Sequence, residues 1–329
     1  MITIIETTYS PPRRGISRLP ASPGLDRALA ARQSGYPKSF GENGILAWTV
    51  VRSAIGLAAI CGLLATGSAQ SPVQAQGRLD ARYAVTLGGV PIGKGAWVID
   101  ISESQFTAAA SGATTGLLRV LSTGQGSGAS RGHMVGGNLV PASFAASITT
   151  DKKTEEIRMT LGSGDVRDFA VMPPVPPDDE RIPLTDAHRR GVSDPMTGSL
   201  VRVPGNGNPV GPLACQRSTS LFDGRMRYDL KFAYKRMEQV KAEKGYEGPA
   251  VVCSVYFVPL AGFVPSRPAI KYLVAQREME IWLAPMGTTR VLVPFRVSIP
   301  TPIGQGVMVA TQFITSPPHA TASTGPKTQ

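Results

Sequence analysis

Apolar and polar residues alternate from Arg225 to Tyr234: Met226, Tyr228, Leu230, Phe232 and Tyr234 fall on one face, and Arg225, Arg227, Asp229 and Lys231 on the other. A period of two is that of a half-buried antiparallel strand. Asp223-Gly224 just before it has hairpin-turn chemistry. After a second turn at 244–249, Val251, Val252, Val255, Tyr256 and Phe257 supply a return strand rich in β-branched and aromatic residues. Cys215 and Cys253 bracket this sheet segment.

The same period recurs along the chain. Tyr83, Val85 and Leu87 alternate before a Gly88-Gly89 turn, and strands are expected around Val90 and Ile92, and at 96–101, 106–110, 117–121, 144–149 and 156–161. Further strands are expected at 278–283, 289–298 and 306–316. The glycine-rich run STGQGSGASRG, 122–132, reads as a tight or bulged connection, and Asp151-Lys152-Lys153 as a polar turn. Prolines make 172–183 and 204–212 extended loops, since each fixes φ and removes a backbone donor. Thr185 is a helix cap with Asp186 in the first turn, so one short helix is expected near 185–191. Residues 237–244 have a polar helical look inside a hairpin loop. The whole reads as an all-β protein, a curved antiparallel sheet, barrel-like or a sandwich, of about ten to twelve strands.

Composition adds the compartment. With 42% hydrophobic and 17% charged residues the chain is an ordinary globular one, and 28 prolines and 36 glycines favour short elements. The long apolar run, 45–64, carries Arg52 near its start and leaves only about 13 uninterrupted residues, too few for a membrane helix and right for a signal peptide. Cleavage after Ala75 is expected; the alternative is an uncleaved signal anchor, which would give membrane association. The domain plan is then 1–44, a disordered leader or sequence upstream of the true start; 45–75, a signal peptide; 76–316, one all-β domain; and 317–329, a disordered tail. Losing 1–75 removes seven of the 34 Lys and Arg and three of the 23 Asp and Glu, so +11 falls to +7. Cys61 goes too, and the remaining pair, Cys215 and Cys253, reads as a disulfide of an oxidising periplasm.

Candidate chemistry is sparse. His133, His188 and His319 are far apart and no Cys/His pair has ligand spacing, so no metal and no cofactor is expected. Gly124-Gln125-Gly126-Ser127-Gly128 has its serine in the wrong place for a nucleophile elbow. The densest polar cluster is Asp186, His188, Arg189, Arg190 and Asp194, in which His188, Arg189 and Arg190 are candidates for binding phosphate or carboxylate. On a helix His188 shares a face with Thr185, not Asp186. The stripe Met226, Tyr228, Leu230, Phe232 and Tyr234 is a candidate ligand surface inside a curved sheet, against ordinary core packing as the alternative. Arg225, Arg227, Lys231, Lys235 and Arg236 read first as a solvated face and second as an attraction to anionic lipid or glycan. Nucleic acid is not an expected partner, since no aromatic RNA-binding motif is present.

A resemblance accompanies these readings. The runs SLFDGRMRYDL, GYEGPAVVCSVYFVPLAGF, MEIWLAP and RVLVPFRVSIPTPIG, with ARYAVTLGGVPIGKGAW, TTGLLRVLSTGQGSGASRG and LVPASF before them, resemble domain-of-unknown-function family 3108, envelope proteins of Gram-negative bacteria. The likeness spans about Gly77 to Ser316. It implies an envelope location and brings no catalytic residues. The function expected is a periplasmic, non-catalytic binding or scaffold protein whose partner is an envelope lipid, an apolar or amphiphilic ligand, or an envelope protein. The alternatives are an envelope hydrolase acting on lipid or glycan, and an inner-membrane-anchored location.

Overall fold

The computed structural model describes residues 76–115, 123–151 and 153–317. The leader and signal peptide, the strand expected at 117–121, Lys152 of the polar turn, His319 and the tail from 318 lie outside the described residues.

Fifteen strands form one sheet: β1 (Gly77–Leu87), β2 (Val90–Ile101), β3 (Gln105–Thr114), β4 (Gly124–Val135), β5 (Asn138–Thr150), β6 (Thr154–Gly162), β7 (Asp165–Met172), β8 (Val201–Arg202), β9 (Ser218–Phe222), β10 (Arg227–Lys241), β11 (Lys244–Gly245), β12 (Glu247–Ala261), β13 (Glu280–Pro285), β14 (Val291–Thr301) and β15 (Gly304–Ser316). Its order is β7-β6-β5-β4-β3-β2-β1-β15-β14-β13-β12-β10-β9, with β8 on β14 and β11 on β15. All these pairs are antiparallel except the two-residue β11. Turn chemistry sets the hairpins. At the β9–β10 turn the Asp223 carboxylate accepts from the Arg225 and Met226 amides at 2.9 and 2.7 Å, and Gly224 takes φ +90°, a backbone open to glycine.

The all-β expectation holds, with more strands than the ten to twelve expected. One reason is β4, which occupies the glycine-rich run read as a connection. Glycine and serine are depleted in strands because they offer little to pack, but here smallness is what the neighbours need. A Cβ on Gly132 would stand 2.1 Å from the Val140 carbonyl oxygen and 2.6 Å from the Phe106 ring. A second correction concerns 237–244: β10 runs on to Lys241 as a strand, held against β12 from Met237↔Val251 to Lys241↔Glu247. The helix expected near 185–191 is the 3-10 turn Asp186–Arg189. The helix Pro268–Ala275, with Ile270 and Leu273 buried, was not anticipated. Among the described residues no helix is long and apolar enough to cross a membrane.

The sheet curls. Leu79, Ile99 and Phe106 of β1 to β3 share one cluster with Val252, Trp282, Val293 and Phe313 of β12 to β15, so the face that carries them is concave. Large side chains fill it. Tyr246, Phe295 and Phe313 pack at tilted angles with centroids 5.6 to 6.3 Å apart, and the buried Tyr83 hydroxyl donates to the Pro294 carbonyl at 2.8 Å. Burial pushes the ionisation of that phenol far upward.

The two ends of the strand order do not pair, yet they touch. Phe169 of β7 meets Phe222 of β9 edge to face at 5.2 Å, and Arg225 reaches Glu155 of β6 at 3.1 Å. One irregular segment spans the gap: Val192 N–H donates to the Gly164 carbonyl at 2.7 Å, and Ser193 N–H to the Ser220 carbonyl at 2.9 Å. An exposed sheet edge templates unwanted pairing, and this strap covers both edges at once.

The opposite face of β12 to β14 is covered as well. Val201, Val203, Val210, Ala214 and Cys215 lie on Val251, Cys253, Leu283 and Leu292. Cys215 and Cys253 form a disulfide, Cα atoms 5.5 Å apart, that pins this cover to the sheet.

Candidate functional site

The polar cluster at 185–194 is not assembled into one site. His188 Nδ1 accepts from the Thr185 amide at 3.1 Å, the partnership its spacing suggests, and Arg189 pairs with Asp186 while lying 5.5 Å from the Phe169 ring centre. Arg190 is exposed. Asp194 is fully buried: its Oδ1 accepts from the Met196 and Thr197 amides at 3.0 Å each, capping the helical turn Pro195–Gly198, and its Oδ2 accepts from the Ser130 hydroxyl at 3.0 Å. Burial raises the Asp194 carboxyl, and the hydrogen bonds from Thr197, Ser130 and Met196 oppose that rise. These residues form a clip between β4 and the turn that packs on β9.

The apolar stripe is placed on the covered face, not the concave one. Cross-strand partners share a face, and Phe232 pairs with Val255 and Tyr234 with Cys253. Phe232 accordingly packs against the cluster around the disulfide, Met226 and Tyr228 are buried, and Tyr234 is 43% exposed. Beyond the stripe a bulge at Lys235 turns the strand over: Tyr234 sits opposite Cys253 but Arg236 opposite Val252, so Arg236 takes the concave face. His133 lies in β4, as do Gly124 to Gly128. Among the described residues no three His, Cys, Asp or Glu side chains are grouped as metal ligands would be.

Beyond the bulge β10 contributes to a charged depression of about 430 Å³ on the concave side. Its floor is one cross-strand row, Arg236, Val252, Trp282 and Arg296. The Trp282 ring lies between two guanidiniums, 5.4 Å from Arg236 and 4.7 Å from Arg296, and its indole N–H donates to Glu238. Arg236 holds Glu280 with two bonds of 3.0 and 3.2 Å and Glu238 with one of 2.6 Å, while Lys235 also pairs with Glu280. Burial acts to raise both carboxyls but is outweighed: Trp282 and Arg236 hold Glu238 below the usual range, and Arg236 and Lys235 do the same for Glu280. The result is a fixed ion-pair network of Lys235, Arg236, Glu238 and Glu280, with Arg296 held over the Trp282 ring. Glu238, Glu280, Trp282 and Arg296 were not singled out from the sequence, because only the strand register brings them together.

A second depression, of about 400 Å³, lies between the cover, the Pro195–Gly198 turn and the start of β9, with Arg202, Arg217 and Thr219 in its wall.

Comparison with known families places the chain. The model of the family described as "Protein of unknown function (DUF3108)" matches residues 82–311. The chain belongs to this family. No curated protein matches it. Among solved structures it is similar to a "beta-barrel-like protein of domain of unknown function DUF1849" from Brucella abortus, at 8% identity and a TM-score of 0.37 over 72% of this chain and 96% of that one. For the DUF3108 chain the residues themselves must therefore supply the functional argument.

Proposed function

We propose that this DUF3108 protein is an exported, non-catalytic scaffold of the cell envelope that binds its partner at surface depressions and not within the sheet. The observation that carries this is the filled concave face, where Trp97, Phe106, Trp282, Phe295 and Phe313 are all buried in one cluster. A carrier of apolar chains needs an enclosed apolar cavity, and both depressions described above are open to solvent and carry charged side chains in their walls. A hydrolase reading asks for an accessible acid of raised ionisation. Glu238 and Glu280 are accessible but held low, and Asp194 is raised but fully enclosed. Export is supported by the disulfide, a bond that persists in oxidising compartments, together with the short apolar run before Ala75.

Two measurements test the proposal. Intact mass of the protein recovered from its own cells is expected to place the N-terminus at Gln76; a membrane-bound species retaining 45–64 would replace export by anchoring. An uncharged apolar fluorescent probe is expected to show no saturable binding. Saturable binding displaced by native lipid would overturn the filled scaffold.

A further inference from the structure

Folding leaves few buried polar groups without partners, and those it does leave call for an explanation. Two of them face the second depression. Thr219 is 6% exposed and its hydroxyl has no hydrogen-bond partner; Arg217, two residues earlier, has its Nε buried and likewise without one. Thr219 in β9 and Arg217 just before that strand both line the depression. No carboxylate answers them: among the described residues Arg217 has no ion pair, and the wall of the depression contains Arg202 and Arg217 but no Asp or Glu. Arg202 is already oriented, its Nε donating to the Gly137 carbonyl at 2.8 Å and another N–H to the Val203 carbonyl. Burial pulls down the ionisation of both arginines, and neighbouring Arg290 adds to the effect at Arg202. The wall thus holds positive charge partly removed from water.

We infer that this depression binds an oxyanion, a phosphate or carboxylate group, with the Arg217 fork and the Thr219 hydroxyl as donors and Arg202 as a fixed second positive charge. The planar guanidinium matches two oxygens of either group, and the hydroxyl reaches a third or shares one. Leu139, Leu200 and Leu213 stand in the same wall, and Leu213 is 61% exposed, so an apolar body attached to the anion has somewhere to lie. The inference rests on the reading of the fold as a binding scaffold and names the ligand chemistry of one surface. It also explains why the fold tolerates groups that an uncommitted core would replace by apolar ones.

The test uses the full chain with two probes, inorganic phosphate and hexyl phosphate, titrated calorimetrically at low salt. Saturable binding is expected, with at least a tenfold loss in Arg217→Gln and a similar loss in Thr219→Val. Arg131→Gln, an exposed arginine elsewhere on β4, is expected to leave it unchanged. Thr219→Val removes an unpartnered hydroxyl at constant shape, so its Tm is expected to equal or exceed that of the parent while binding falls; a purely structural threonine would not separate the two readouts. Tighter binding of hexyl phosphate supports the headgroup of an amphiphile as the source, and equal binding of both supports a free oxyanion. No saturable binding of either probe, or binding that Arg217→Gln leaves intact, overturns the site while leaving the scaffold reading in place.

Discussion

The two halves of the sheet meet at the β1–β15 ladder and solve burial differently. In β4 exposed and covered positions alternate along the strand, and β3 does the same from Gln105 to Ala109, because one face meets the concave core and the other meets solvent. In β12 the residues from Ala250 to Cys253 are buried in succession, and in β14 so are those from Val291 to Phe295. Continuous burial means that both faces are covered, here by the concave cluster on one side and the segment around Cys215 on the other. The charged depression lies on the concave side of the doubly covered half, and the second lies at the margin of the cover, where Asn138 and Leu139 of the other half join its wall. An irregular segment laid on a sheet leaves gaps at its margins, and a ligand site is expected there.

Breaking the cover loose is the largest test of that difference. Cys215 and Cys253 are 38 residues apart, and closing a loop of that length restricts the unfolded chain by about 4 kcal/mol in the entropic account. Cys253→Ala paired with Cys215→Ala is expected to lower unfolding stability by roughly that amount. Hydrogen exchange should show added local opening in β12 to β14 beyond the global loss that β3 to β5 share. Equal loss across both halves would mean that the cover is not a separable layer.

Next in size is the clip between the halves. Asp194→Ala strips an acceptor from two backbone amides and the Ser130 hydroxyl, and is expected to cost roughly 2–4 kcal/mol. Asp194→Asn keeps an oxygen for both amides and a donor for Ser130, so thermal unfolding should find it within about 1 kcal/mol of the parent. Equal damage from both would show that the buried charge itself, and not the cap, holds the halves together.

This contrast also explains what the sequence disclosed. Alternation identified the first strands and the 226–232 stretch, and counting cysteines identified the disulfide. The β4 strand escaped because its Gly132 leaves room for Phe106 and Val140, neighbours that only the fold supplies. The polar end of β10 resembled a helix because Arg236, Glu238 and Val240 lie along a strand whose partner was unknown. Alternation separates the two faces of the 226–234 stretch, but which of them meets the segment around Cys215 follows from the fold alone. Neither depression was legible, because Arg236, Trp282 and Arg296 become neighbours through register alone, and Arg217 looks like any surface arginine until the cover closes over it.

The smallest expected effect belongs to the charged row, and acid is the way to find it. Glu238 and Glu280 are held below their ordinary value of 4.5, so the folded state binds fewer protons than the unfolded one just below that pH. Their contribution is therefore complete above pH 4.5 and is lost as the pH falls through the depressed values. Both sit beside solvent, so screening keeps the effect modest and salt-dependent. Unfolding stability measured across the acid range should fall less steeply in a Glu238→Gln, Glu280→Gln variant than in the parent. Added salt should narrow the difference between the two slopes. Because the Trp282 indole donates to Glu238, its emission should shift in the same acid window in the parent and not in Glu238→Gln. If the two slopes coincide, the charges on the covered half are no more coupled to folding than those on the wet one, and the contrast between the halves is one of apolar burial alone.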